Sequence, residues 1–272
     1  MVSILGCGWL GLPLGKELVA KGFDVKGSVR SEEKYVMLED AGIVPFIIRL
    51  MPELHGDAIP GFFSADVLVV NFPPERRADI SEYLTEQIKA LIAAVITYKI
   101  PHVIFISSTS VYPDVNRKVD ETESILPAKG SGIALQLAET LLLEQTAFKT
   151  TVVRFGGLVG YDRLPGRFLA AKKGVANGDA PVNIIHQDDC IAVIYEIIRQ
   201  NCWGEVFNAC ADEHPLRRDY YREAAVLSGF EPPEFAAGGD LSFKIVDSSK
   251  LKARLNYHFK YPDPLEMLIN GG

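Results

Sequence analysis

The chain has 272 residues, 48% of them hydrophobic and 23% charged, the balance of an ordinary folded protein without a low-complexity tail. Its net charge of −7 argues against a broad surface for nucleic acid or anionic membrane, while leaving room for a local basic pocket that takes a phosphate. Met1 runs directly into a strand-like segment with no basic leader, no apolar run approaches the ~20 residues that span a bilayer, and the four cysteines have no metal-ligand spacing, so a cytoplasmic protein with reduced thiols and no metal is expected.

In chain order, short β-branched runs alternate with helical patterns: "VSILG", "LPLGKELVAKG", "FDVKGSV", "SEEKYVMLEDAG", "IVPFIIRL" and, after a loop, "ADVLVVNF". That alternation predicts a parallel sheet with right-handed crossovers. A helix over 79–98 sets Ile80, Tyr83, Leu84, Ile88, Leu91, Ile92 and Val95 on one wide face, and "HVIFIS" follows as the next buried strand. A helix over 132–145 leads to the strand "TTVVRF". Beyond Gly156 turn residues multiply, and a helix within 187–200, a strand "EVFNAC", a helix around 216–228 and the late "FKIVDSSKLKARL" read as segments returning to the sheet. The fold class is α/β: a Rossmann-type doubly wound parallel sheet in residues 1–156, with a smaller, partly discontinuous C-terminal cap in 157–272.

"GCGWLG", Gly6 to Gly11, follows the first strand and opens the first helix. In that context it is a dinucleotide fingerprint: Gly6 for the tight turn, Gly8 for approach of backbone to the pyrophosphate, Gly11 for close packing, with Trp9 and Leu10 contributing backbone. The second strand ends in "KGSVRSEEK". Val29 stands where an acid would hold the ribose hydroxyl of NAD, and Ser28, Arg30 and Ser31 form a donor set suited to a 2′-phosphate. NADP is the expected cofactor, with NAD as the alternative. Ser31 also has the chemistry of a helix cap. "NFPP" ends one later strand and "ISSTSVYP" the next, which puts Asn71, Phe72, Pro73 and Ser107 on the ligand side of the sheet.

Fingerprint, "SSTSVYP", "PVNIIHQDD" and the intermittent cap together resemble the extended short-chain dehydrogenase/reductases, the NAD(P)-dependent epimerase/dehydratases, over essentially the whole chain, and most closely the atypical branch whose fingerprint is GxGxxG. The resemblance implies an oxidoreductase or epimerase acting on a small polar or nucleotide-sugar-like substrate, with Ser108 binding the reacting oxygen. It also implies a Tyr-x-x-x-Lys pair on the following helix, the tyrosine as acid/base and the lysine lowering its pKa. Within "KGSGIALQLAE" (129–139), anchoring on Glu139 puts Ser131 and Leu135 in those places, and no lysine of the chain has a tyrosine four residues before it.

A serine hydroxyl is too weak an acid to replace that phenol. The remaining proton carriers are Tyr112, Tyr161, His186, Asp188 and Asp189, and Tyr112, at the end of the same strand as Ser108, is the expected displaced donor. For "IHQDD" the competing reading is structural: Asp188 or Asp189 caps the next helix and His186 bonds locally or ties the cap to the core. Arg163 and Arg167 suit an anionic substrate or a solvated loop. The apolar face of the 132–145 helix suits packing on the core or pairing of the 79–98 and 132–145 helices in a homodimer. A non-catalytic NADP-binding regulator or redox sensor is the alternative to an enzyme.

Overall fold

The strands Val2–Leu5 and Val67–Val70 are buried at every residue, as apolar runs without alternation must be when helices cover both faces of a parallel sheet. They pair with each other, Val25–Val29 pairs on the far side of Val2–Leu5, and Val44–Ile47 completes that flank, all in parallel register. His102–Ser108 adds to Val67–Val70, also in parallel. Seven strands result, in the order Val206–Ala209, Lys149–Phe155, His102–Ser108, Val67–Val70, Val2–Leu5, Val25–Val29, Val44–Ile47. The chain thus winds outward to one side from Val2–Leu5 and then restarts on its other side, the doubly wound arrangement. This is a computed structural model, and it describes residues 1–56, 58–127 and 130–270. Lys129 of the 129–139 stretch and the last two residues of the expected cap lie outside them.

The chain forms two compact units, one of Met1–Val111, Pro127–Val153 and Ile194–Val206, the other of Tyr112–Leu126, Arg154–Val193 and Phe207–Gly272. In the first, the helix Ile80–Thr97 buries Ile80, Leu84, Ile88, Leu91 and Val95, the stripe its 3.6-residue period dictates. It packs against the helix Gly130–Leu143 of the same chain, while Ile96 of the first and Ile133 and Leu137 of the second stay exposed. Gln87, on the same buried stripe, donates to the Leu50 carbonyl at 2.6 Å. That bond fastens a feature the sequence reading treats as one strand: "IVPFIIRL" stops at Ile47, and Arg49–Met51 and Glu53–His55 form an antiparallel hairpin.

In the second unit, Ile245–Val246 pairs in parallel with Lys118–Val119 as a separate two-stranded sheet. The late segment therefore does not return to the central sheet as expected, whereas Val206–Ala209 does. Two-residue strands offer too few ladder bonds to extend a sheet. Asn183 supports this one from outside, donating to the Lys244 carbonyl at 3.0 Å and accepting from the Val246 N–H at 2.8 Å.

Candidate cofactor-binding site

The winding reverses between Val2–Leu5 and Val67–Val70, and open sheets bind ligands beyond the carboxyl ends of the strands at such a reversal. A cleft of about 330 Å³ lies there. Its floor is the fingerprint turn. Gly6 has φ +106°, and a Cβ on it would run into the Asn71 carbonyl oxygen, so only glycine fits both the conformation and the space. The turn is held from two sides: the Gly6 N–H donates to Ser28 Oγ at 2.9 Å, and Asn71 Nδ2 donates to the Gly6 carbonyl at 2.9 Å. A Cβ on Gly11 would likewise meet the Gly6 carbonyl oxygen. Gly8 differs, because it lines the cleft and nothing lies within 4 Å of where its Cβ would be.

The helix Gly11–Ala20 starts at Leu10 with no side chain bonded to its N-terminus and no acidic residue in its first turn. The Leu12 and Leu14 N–H groups are taken by the Gly8 and Leu10 carbonyls, each at 3.1 Å, so what this helix start offers an anion is chiefly its uncompensated dipole. At the rim, Arg30 lines the cleft together with Lys34 and Arg49. Arg49 donates through Nε at 3.0 Å and Nη2 at 2.7 Å to the Arg30 carbonyl, which fixes the backbone that carries the Arg30 guanidinium. The cleft thus sets the glycine turn beside three cations, with Glu75 also on its lining, an arrangement suited to a dinucleotide.

Of the residues expected to hold cofactor, Gly6, Gly8, Ser28, Arg30, Ser31, Asn71, Phe72 and Pro73 all line this cleft, whereas Trp9, Leu10, Gly11 and Ser107 do not. Ser28 is buried and its oxygen serves the glycine turn. Ser31 is extended and makes no side-chain bond to the turn Glu32–Lys34, so its hydroxyl is not spent on a cap. Ser107 is buried and donates to Glu139 Oε1 at 2.5 Å. Lys34 and Arg49 are the additions. Lys34 could have been suspected from its place four residues after Arg30, but Arg49 reaches the cleft only because of the hairpin.

The helix Gly130–Leu143 carries neither half of the acid–base pair: Ser131 is exposed and Leu135 is buried in the core. Ser108 is half-buried, and its Oγ accepts the Ser110 N–H at 3.1 Å.

Tyr112 begins the second unit and is 3% exposed. Its hydroxyl donates to Asn208 Oδ1 at 2.8 Å and accepts from Arg154 Nη1 at 2.6 Å. Burial pushes the phenol up to about 12 despite the nearby guanidinium, which leaves it a poor proton donor at neutral pH. In the same unit Asp188 accepts from Tyr161 Oη at 2.8 Å and Lys260 Nζ at 2.5 Å, and its N–H donates to His186 Nδ1 at 3.1 Å. Asp189 accepts from Tyr257 Oη at 2.6 Å and from the N–H groups of Lys260 and Tyr261. "IHQDD" thereby ties down the segment 257–261, while Asp188 and Asp189 lie inside the first turn of the helix Gln187–Arg199 and do not cap it as expected.

An NAD(P)H-binding family model matches residues 6–200. The chain is 36% identical to Protein YeeZ of Escherichia coli (strain K12) over 269 residues, 98% of each. Among solved structures it resembles a putative NAD-dependent epimerase/dehydratase from Methylobacillus flagellatus at 25% identity (TM-score 0.73; 99% of this chain, 96% of that one). It also resembles a short-chain dehydrogenase/reductase superfamily protein from Agrobacterium tumefaciens with bound NAD at 17% identity (TM-score 0.79; 100% and 96%). With the glycine turn, the uncapped helix and the doubly wound sheet in place, the chain belongs to the NAD(P)H-binding family and has the fold of the extended short-chain dehydrogenase/reductases and epimerase/dehydratases.

Proposed function

We propose that this chain binds NADP(H) in preference to NAD(H), and that it is an oxidoreductase or epimerase of the short-chain dehydrogenase/reductase type for a small polar or nucleotide-sugar-like substrate, with its proton-transfer group moved off the usual helix. The observation that carries the cofactor choice is the rim of Arg30, Lys34 and Arg49 on a cleft where Val29 replaces the acid. Gly6, Gly8 and the start of Gly11–Ala20 would hold the pyrophosphate, Asn71, Phe72 and Pro73 the neighbouring ribose, and Arg30 with Lys34 the 2′-phosphate. The nicotinamide, when bound, supplies hydride transfer. Ser108 retains a hydroxyl that can orient a carbonyl or alcohol oxygen.

A second reading, a non-catalytic NADP(H)-binding regulator or redox sensor, is favoured by one set of facts: Ser131 is solvent-facing, Leu135 is core, and both bonds of the Tyr112 hydroxyl are committed within its own unit. Losing general acid–base help forfeits about 10²–10⁴-fold in rate, which Ser108 alone does not restore. The experiment is titration of wild type and Arg30→Ala with NADPH and NADH, followed by turnover of wild type and Ser108→Ala on nucleotide sugars and small carbonyls. An unchanged cofactor preference in Arg30→Ala refutes the NADP assignment. Turnover abolished by Ser108→Ala supports the enzyme, and tight NADPH binding without turnover across the panel supports the regulator.

A further inference from the structure

Gln87 is the polar member of an otherwise apolar stripe, 4% exposed on the helix Ile80–Thr97, and it also lines the cofactor cleft. Its amide nitrogen is spent on the Leu50 carbonyl, which accounts for half of a buried glutamine. The other half has no such account. Among the described residues nothing donates to its amide oxygen. Nor is that oxygen one of the sealed, unpaired polar atoms, which belong to His102, Arg217, Arg218 and Tyr220. An unpaired acceptor that open volume can reach, on a side chain otherwise buried, is suited to a donor from outside.

The bond to Leu50 also fixes which way round the amide sits. A glutamine can present oxygen or nitrogen by turning over about its last bond, but here turning over would set the amide oxygen against the Leu50 carbonyl oxygen. What Gln87 has left to offer is therefore an acceptor.

The order of the sheet says which part of a dinucleotide would supply the donor. With the pyrophosphate over the glycine turn and its ribose at the end of Val25–Val29, the base on that ribose lies further out, beyond Val44–Ile47. There the chain supplies Ile48, Leu50 and Met51 to the lining, apolar surface suited to the face of a flat ring. Gln87, bonded to Leu50, is the neutral acceptor beside them. Glu75, the carboxylate of the lining, is half exposed and lies 3.9 Å from Arg77 Nη1.

We propose that Gln87 reads the base of the dinucleotide: its amide oxygen accepts from the 6-amino group of adenine and so rejects a purine that carries a 6-oxo group. The inference rests on the reading that this cleft holds a dinucleotide, and not on whether that is NADP(H) or NAD(H).

Full-length protein is titrated calorimetrically with NADPH and with reduced nicotinamide hypoxanthine dinucleotide phosphate, which exchanges the 6-amino group for a 6-oxo group. The exchange sets two acceptors face to face, so wild type should bind NADPH more tightly by about tenfold or more. Gln87→Met, close in volume and without the amide, should collapse that ratio to near one. A residue that merely fastened the hairpin would weaken both dinucleotides alike and leave the ratio standing. Comparable affinity of wild type for the two dinucleotides overturns the proposal without any variant, and so does a ratio that persists in folded Gln87→Met. If neither NADPH nor NADH binds, the cofactor reading itself fails and this inference with it. If NADH binds and NADPH does not, only the NADP assignment falls, and the same ratio measured with NADH and its hypoxanthine analogue decides the role of Gln87.

Discussion

Arg49 contributes to the cofactor rim in two ways that a substitution can separate. Its guanidinium is one of three cations lining the cleft, and its two bonds to the Arg30 carbonyl hold the neighbouring cation's backbone in place. Arg49→Lys keeps the charge but cannot form the planar two-donor fork, so it should lose part of the NADPH-over-NADH preference, and Arg49→Ala more of it. For an exposed rim, where solvent screens each pair, Arg30→Ala or Arg49→Ala should each cut that preference by about tenfold. The preference itself should shrink as salt rises. Parallel titrations at low and high salt check both. At Asp188 the charge is internal. Burial works against its ionisation, yet the bonds from Lys260 and Tyr161 hold its carboxyl below the usual carboxylate range. A lowered acid contributes stability that is present above about pH 4, its ordinary value, and is lost as pH falls through the lower folded value. Asp188→Asn should therefore lower the denaturation midpoint at pH 7 and make progressively less difference as pH falls below the ordinary carboxylate value. The rim's first residue was legible because Arg30 adjoins the end of a strand, but Arg49 was not, since nothing in the period of "IVPFIIRL" announces a hairpin. Tyr112 was misleading for a related reason: its position after a strand end was visible, while Asn208 and Arg154, which occupy its hydroxyl, lie far along the chain.

At the scale of elements, the turn Gly6–Gly11 and the helix Gly130–Leu143 make opposite demands. Around Gly8 the protein leaves open space, so Gly8→Val should fold with an unchanged thermal midpoint while NADPH affinity falls beyond measurement, because the new methyl groups occupy the approach to the pyrophosphate. Retained affinity in a folded Gly8→Val protein would falsify the seat assigned here. The helix is tightly seated: a Cβ on Gly132 would meet the Ser110 carbonyl oxygen, and Leu135 and Glu139 are 5% and 2% exposed. Rebuilding the family's pair is thus unequal work. Ser131→Tyr, at an exposed position, should cost little, whereas Leu135→Lys puts an ammonium into an apolar site and should destabilise the cofactor-free protein by a few kcal/mol. Thermal midpoints of the two single variants give the comparison, and a neutral Leu135→Lys would mean that the site is wetter than its burial indicates. The helices themselves were readable from their periodicity to within about two residues. Their partners were not, because an apolar stripe states only that something covers it.

For the molecule as a whole, the alternation of strands and helices was sufficient to specify a doubly wound sheet, since handedness and short connections leave few other topologies. It could not specify that Ile245–Val246 pairs with Lys118–Val119, because two-residue strands carry no pattern. The same whole-chain view gives a test that needs no substrate. A ligand that binds only the folded state stabilises it by mass action, by about 2.7 kcal/mol at one hundred times its dissociation constant. In a chain of 272 residues with cooperative unfolding, that corresponds to a rise of a few degrees in the thermal midpoint. If the cationic rim reads the 2′-phosphate, NADPH should raise the midpoint at concentrations where NADH does not, and the rise should grow with the logarithm of concentration. In Arg30→Ala the NADPH curve should move toward the NADH curve, displaced to about tenfold higher concentration, while the NADH curve stays in place. A larger rise with NADH in wild type would mean that the rim serves another anion and that the ribose hydroxyls are held without an acid at the end of Val25–Val29.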